Sequence, residues 1–319
     1  MIRRYDIITF GSGLVDAFVS SEFKENNGRI SFPLGTKILV KNIGFSTGGG
    51  GVNSAVCFSH LGLKTGFLGR IGSGYNGQIV LRELKKNNID FLGLQSKEHT
   101  GYSIILEGDK KHRTILTFKG ASENLNFSEI NLKKLHTKWF YFTSLGGESF
   151  ESQKKIAKFA KKKGIKLAYN PSSYHTKRGI NYLKNILKNT YVLSLNKEEA
   201  GMLIKQGNLC EGLYNLGPRI VCVTDGENEG EVYDGRFLYR YLPHKVNVRE
   251  STGAGDIFGS SFVFGLIKLQ DIGMAIRVAM INAENAIATL REKNRLLDWD
   301  ELKRIIKIKK FKIKKEMLI

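Results

Sequence analysis

The 319-residue chain is short of cysteine, proline and tryptophan, with 3, 4 and 2 of them respectively. Cys57, Cys210 and Cys222 are far apart, odd in number and form no Cys-x-x-Cys pair. That argues against a disulfide framework or a zinc ribbon and predicts a reducing, cytoplasmic setting. The histidines are scattered without metal-site spacing, so a histidine-held metal has no support. So few prolines leave no proline-rich linker. The longest apolar segment, Ile257 to Leu269, is broken by serines, glycines and Lys268, and no membrane span is expected. The segment MIRRYDIITFGSG holds too short an apolar stretch for a signal peptide. Acidic residues are also scarce: 30 Asp+Glu against 50 Lys+Arg give a formal charge of +20. Such an excess favours polyanionic company, whether nucleic acid, an anionic membrane surface or phosphorylated small molecules.

What is present is a chain with 41% apolar residues and 35 glycines, enough for a sizeable core. Strands are expected at Tyr5–Phe10, Thr65–Leu68, Trp139–Phe142, Ile165–Tyr169, Tyr191–Leu195 and Ile220–Val223. Amphipathic or apolar helices are expected at Val52–Leu61, Gln78–Asn87, Ser149–Lys163, Lys197–Ile204, Gly255–Lys268 and Asp271–Leu290. Strand followed by helix at this spacing predicts an α/β fold with a largely parallel sheet and functional loops at the carboxyl ends of its strands. Residues 17–45 and 99–118 break the pattern and read as a small β element inserted in two pieces. The segment from Lys303, KRIIKIKKFKIKK, is the one extreme charge run, and residues 303–319 read as a basic C-terminal tail.

The most informative segment is Glu250-Ser-Thr-Gly-Ala-Gly-Asp256, leading into an apolar helix. Backbone N–H groups of Gly253, Ala254 and Gly255 at a helix N-terminus suit an anion. Asp256 in the first turn suits a general base for an attacking hydroxyl; its plainer role is to cap the helix dipole. Ser46-Thr-Gly-Gly-Gly-Gly-Val-Asn53 bares its backbone to a polar ligand, with Asn53 as donor and acceptor. It lacks the Gly-Lys-Ser/Thr ending of a Walker A loop. Gly72-Ser-Gly74-Tyr-Asn-Gly77 matches the dinucleotide-binding pattern literally, but no acid stands about 20 residues on. Asn196 and Glu199 share one face of a helix start and could hold water-bound magnesium, or simply form a polar first turn. Thr224-Asp-Gly226 offers a hydroxyl and bare backbone to a phosphate, or is an ordinary turn. Asp16 can accept two hydroxyls of a sugar, and Arg113 could reach an anionic group.

In this order the segments resemble the ribokinase-like (PfkB) family of carbohydrate and nucleoside kinases. STGAGDIF resembles the family's C-terminal signature and GGGGVNSA its N-terminal one, with TGYS, RTI, KGAS, NKEE and TDG between them. The resemblance runs from about Tyr5 to Ala288. It implies a three-layer α/β/α sandwich in a single kinase domain over residues 1–319, with the inserted β pieces as a lid that often pairs with a second subunit. By resemblance, Asp256 is the general base and Gly253, Ala254 and Gly255 the anion hole. Asp16, Gly49, Gly50 and Asn53 bind the sugar, with Arg113 near them. Asn196 and Glu199 organise Mg²⁺ and the nucleotide phosphates, with Thr224, Gly226 and Thr252 beside them. The implied reaction is ATP-dependent phosphorylation of a sugar's primary hydroxyl, with a nucleoside as alternative acceptor and ADP as alternative donor. Glu250 stands where the family usually has Asp, which speaks against a monovalent cation. The glycine loop lacks the lysine of ribokinase itself, which speaks against free ribose. A non-catalytic nucleic-acid-binding protein on the same fold is the competing reading, carried only by the charge and the basic tail.

Overall fold

The computed structural model describes residues 4–21, 25–26, 29–107, 113–247, 253–289 and 296–318. In chain order the elements are β1 (Tyr5–Phe10), β2 (Leu14–Ser20), β3 (Glu25–Asn26), β4 (Arg29–Ile30), β5 (Asn42–Gly48), α1 (Gly50–His60), β6 (Thr65–Leu68), β7 (Arg70–Gly72) and α2 (Tyr75–Lys86). Next come β8 (Asp90–Phe91), β9 (Leu94–Ser96), β10 (Thr100–Glu107), β11 (Arg113–Gly120), β12 (Thr137–Thr143), α3 (Gly147–Lys162), β13 (Lys166–Asn170), α4 (Ser173–Thr176) and α5 (Ile180–Leu187). The last part holds β14 (Val192–Asn196), α6 (Lys197–Leu203), α7 (Leu209–Tyr214), β15 (Ile220–Thr224), β16 (Gly230–Tyr233), β17 (Phe237–Leu242), α8 (Ala254–Leu269), α9 (Ile272–Ala288), α10 (Trp299–Ile308) and β18 (Lys312–Met317).

Ten strands form the main sheet in the order β18-β17-β16-β15-β14-β13-β12-β1-β6-β8. From β15 to β8 every neighbouring pair is parallel; β16, β17 and β18 add an antiparallel flank. The central strands are apolar at consecutive positions because both faces are covered. In β12, Phe140 and Phe142 enter the core shared with α3, α5, α6 and α7, while Trp139 and Tyr141 enter the one shared with α1, α8, α9 and α10. The result is the expected three-layer α/β/α sandwich.

The two β insertions meet in a second sheet of order β11-β10-β2-β5. Residues distant in sequence are thereby brought into register: Asp16 stands opposite Ser46 on one side and Ser103 on the other. The inner end of this sheet is anchored by Val15 and Tyr102, which pack with Val52, Val80 and Leu84 of α1 and α2.

Two expectations are adjusted. The helices behind the glycine-rich stretches start earlier than expected, α1 at Gly50 rather than Val52 and α2 at Tyr75 rather than Gln78, each behind a glycine N-cap. The basic tail is not a separate appendage. Residues 299–308 form α10 behind an Asp298–Glu301 capping box, and Lys312–Met317 pairs with β17. The lysines alternate with Ile305, Ile306, Phe311 and Ile313, which pack onto the core, so the charge run is the solvated side of an amphipathic element. Among the described residues no helix is long and apolar enough to cross a membrane.

Candidate active site

The carboxyl ends of the parallel strands lie beneath the N-termini of α1 and α8, and the expected site residues converge there. Gly49 caps α1 at φ +90° and Gly253 caps α8 at φ +79°. Both conformations are unfavourable for a side chain bearing Cβ. A Cβ on Gly49 would also lie 2.5 Å from the Ser12 carbonyl, so the glycine lets the loop press onto the turn between β1 and β2. The start of α8 has no side-chain cap, which leaves the first N–H groups, including those of Gly255 and Asp256, available to an anion.

Asp256 and Asn53 meet across the two helices. The Asn53 Nδ2 amide donates to Asp256 Oδ2 at 3.0 Å. Asp256 is half-buried and its carboxyl is raised from the usual carboxylate range, chiefly by burial; the Asp16 charge adds to the rise and the Asn53 hydrogen bond opposes it. Asp16 is raised in the same way by burial, with the Ser103 hydroxyl and the Lys119 ammonium opposing. Asp16, Asn53 and Gly253 line one cavity of about 390 Å³, together with Phe18, Ser46, Val56, Glu83, Glu107 and Ile257. Asp16 in the cavity wall and Asp256 held by the wall residue Asn53 place two raised carboxylates in an arrangement suited to proton abstraction from a hydroxyl held near them.

Asn196 and Glu199 form a reciprocal capping box. The Asn196 side chain accepts from the Glu199 N–H at 2.8 Å, and Glu199 Oε2 accepts from the Asn196 N–H at 3.1 Å. Burial raises the Glu199 carboxyl, and the charge of Asp256 contributes to that rise, so Glu199 and Asp256 belong to the same edge of the sheet. The polar-first-turn reading is therefore correct locally, and the Ser173 backbone N–H also reaches the Glu199 carboxylate. Thr224 pairs with Asn196 at the end of β15, and Gly226 follows at φ +60°. Asp225 between them binds Lys197 at 2.8 Å. These residues form a polar shelf at the carboxyl ends of β14 and β15.

Arg113 is not on that shelf or in the cavity wall. It opens β11 opposite Glu107, with Arg113 Nε 3.6 Å from Glu107 Oε1. Glu250 and Thr252 lie outside the described residues. The literal dinucleotide pattern is a tight entry into α2: a Cβ on Gly77 would collide with the Gly72 carbonyl. Ser103 and Lys119 escaped the sequence reading, although the period-two pattern Arg113, Ile115, Thr117, Lys119 carried the signal.

The model of the pfkB carbohydrate kinase family matches residues 19–290. An uncharacterized sugar kinase of Archaeoglobus fulgidus is 27% identical over 224 residues, covering 67% of this chain and 87% of that protein. A ribokinase of Lactococcus lactis is 27% identical over 276 residues, covering 86% and 90%. The structure of Arabidopsis thaliana ribokinase complexed with ribose and ATP superposes with a TM-score of 0.80 at 18% identity, covering 96% of this chain and 100% of that one. The chain belongs to the pfkB carbohydrate kinase family and is a phosphotransferase with an alcohol group as acceptor.

Proposed function

We propose that the protein transfers the γ-phosphoryl group of ATP to a primary hydroxyl of a sugar. The observation that carries this reading is the Asn53–Asp256 pair at the uncapped start of α8, beside the cavity that Asn53 and Gly253 line with Asp16. Asp16 orients the acceptor through its hydroxyls, and Asn53 fixes the Asp256 carboxylate toward the reacting one. Asp256 takes the hydroxyl proton as the oxygen bonds to phosphorus and the bond to the β-phosphate oxygen breaks, releasing ADP. The N–H groups of Gly253, Ala254 and Gly255 receive the charge on the transferring group, a role worth about 3–4 kcal/mol for one such donor.

Asn196 and Glu199 offer oxygen donors of the kind that hold Mg²⁺ through water, and Glu199 keeps one carboxylate oxygen outside the capping box. Bound Mg²⁺ supplies neutralisation of phosphate charge, and Thr224 and Gly226 place the nucleotide beside it. The lid sheet also presents exposed Ile43, Phe45, Leu116 and Phe118, which strand register puts on its side away from Asp16. A second copy covering this apolar face accounts for it. Phe45→Asp with Phe118→Glu then yields a smaller species in sedimentation; an unchanged mass rejects the dimer. The kinase itself is tested by nucleotide turnover over a panel of sugars and nucleosides with ATP and with ADP. Turnover dependent on one acceptor supports it, and turnover with none rejects it.

A further inference from the structure

We propose that Lys119 is a specificity-determining residue that binds an anionic group, carboxylate or phosphate, at the end of the acceptor remote from the reacting hydroxyl. This deepens the kinase reading and rests on it.

The argument starts from register. Asp16 of β2 pairs with Ser103 of β10, and Ser103 pairs with Thr117 of β11. Ser20 pairs with Glu107, and Glu107 with Arg113. Asp16, Ser20 and Glu107 line the cavity, so their β11 partners Arg113 and Thr117 face the same side. The Ser103 and Thr117 hydroxyls meet at 2.8 Å, which confirms the shared face. Two residues beyond Thr117, alternation puts Lys119 on that face as well, at the inner end of the sheet. Gly101, beside Leu14 in the ladder, carries no side chain next to the Lys119 carbonyl.

Lys119 is a half-buried cation that makes no hydrogen bond or ion pair with any described residue. Arg113, at the other end of the same face, already stands beside Glu107. The Lys119 charge is felt both at Asp16 and at His175 of α4. It therefore stands between Asp16 of the acceptor cavity and His175. Holding a lysine half out of water without a partner is unfavourable, and an anionic substituent on the acceptor supplies the partner. A charge-assisted bond of this kind changes affinity by about ten- to a hundredfold.

The test uses acceptor pairs that differ by one anionic group: gluconate against sorbitol, and fructose 6-phosphate against fructose. For each, kcat/KM is measured with ATP and Mg²⁺, and binding is measured by calorimetry without nucleotide, in the wild type, Lys119→Met and Lys119→Arg. The expected result is a preference for the anionic member of at least one pair. Lys119→Met then loses about ten- to a hundredfold through KM and affinity, the neutral member is unchanged, and Lys119→Arg recovers most of the loss. A response confined to gluconate assigns a carboxylate, and one confined to fructose 6-phosphate a phosphate. Neutral members bound as well as anionic ones, or both members affected alike by Lys119→Met, overturn the proposal. Selective binding with no phosphoryl transfer supports the Lys119 site while counting against the kinase reading.

Discussion

At the scale of single residues, the site is a set of carboxylates made less acidic by burial. As the proposed base, Asp256 works only when ionised, so kcat/KM is expected to fall about tenfold per pH unit below its raised pKa. Because the Asp16 charge raises that pKa, Asp16→Asn moves the acid limb to lower pH. Because the Asn53 hydrogen bond lowers it, Asn53→Leu moves the limb to higher pH. Profiles of kcat/KM for the three proteins check both directions. Opposite shifts in the two variants mark an electrostatic effect, which mere loss of substrate affinity does not produce. Beneath Asp256, Gly259 of α8 passes over Tyr141, whose fully buried hydroxyl would lie 2.5 Å from a Cβ at that position, with Asn170 Nδ2 at 2.9 Å. Gly259→Ala improves helix propensity by about 1 kcal/mol but forces that contact, at a cost of about 1–3 kcal/mol. Denaturant unfolding is expected to show net loss of stability.

At the scale of elements, the strands and helices that carry the site were legible because hydrophobic periodicity switches cleanly between them. Tyr5–Phe10 and Thr65–Leu68 are strands at the expected bounds. Helix starts were less legible: Gly49 and Gly74 cap helices without any side-chain hydrogen bond, and a glycine gives the same local signal in a loop. The partner of Asp256 was also hidden, since Asn53 lies 203 residues away and no local pattern encodes that contact. Asn196 and Glu199 show the opposite case, where spacing of three gave the shared face and the capping box used it. Asn196→Ala is expected to cost about 0.5–2 kcal/mol of stability, measurable as a lowered midpoint in urea, apart from any effect on nucleotide binding. His175 ties α4 to the rest: its Nε2–H donates to the Leu145 carbonyl at 2.5 Å, which leaves Nδ1 to accept from the Tyr169 hydroxyl at 2.5 Å. Burial lowers its pKa to about 4. Between pH 6.5 and 4 the unfolded chain takes up a proton that the folded chain refuses, so stability falls as pH drops through that window. His175→Gln is expected to flatten this fall.

At the scale of the whole molecule, net charge did not choose among partners. Most of the run from Lys303 is the solvated side of α10 and β18. Lysines on an edge strand also discourage pairing with another sheet. Arg240 of β17 bridges to Glu316 at 2.5 Å and to Glu231 at 3.1 Å, which fastens β18 to its neighbours. Deleting residues 312–319 is therefore expected to lower the melting temperature and promote aggregation through the exposed β17 edge. A truncated protein as stable and monodisperse as the full chain contradicts that role.

The central claim is that Asp256 is the base of a phosphoryl transfer, and Asp256→Asn tests it most directly. A raised carboxylate pKa means the folded chain holds its proton more tightly than the unfolded one, so the ionised group costs stability at neutral pH. The substitution is predicted to reduce acceptor-dependent nucleotide turnover by about 10²–10⁴-fold, with an unchanged or higher melting temperature. Near-normal turnover in a folded Asp256→Asn protein contradicts the account.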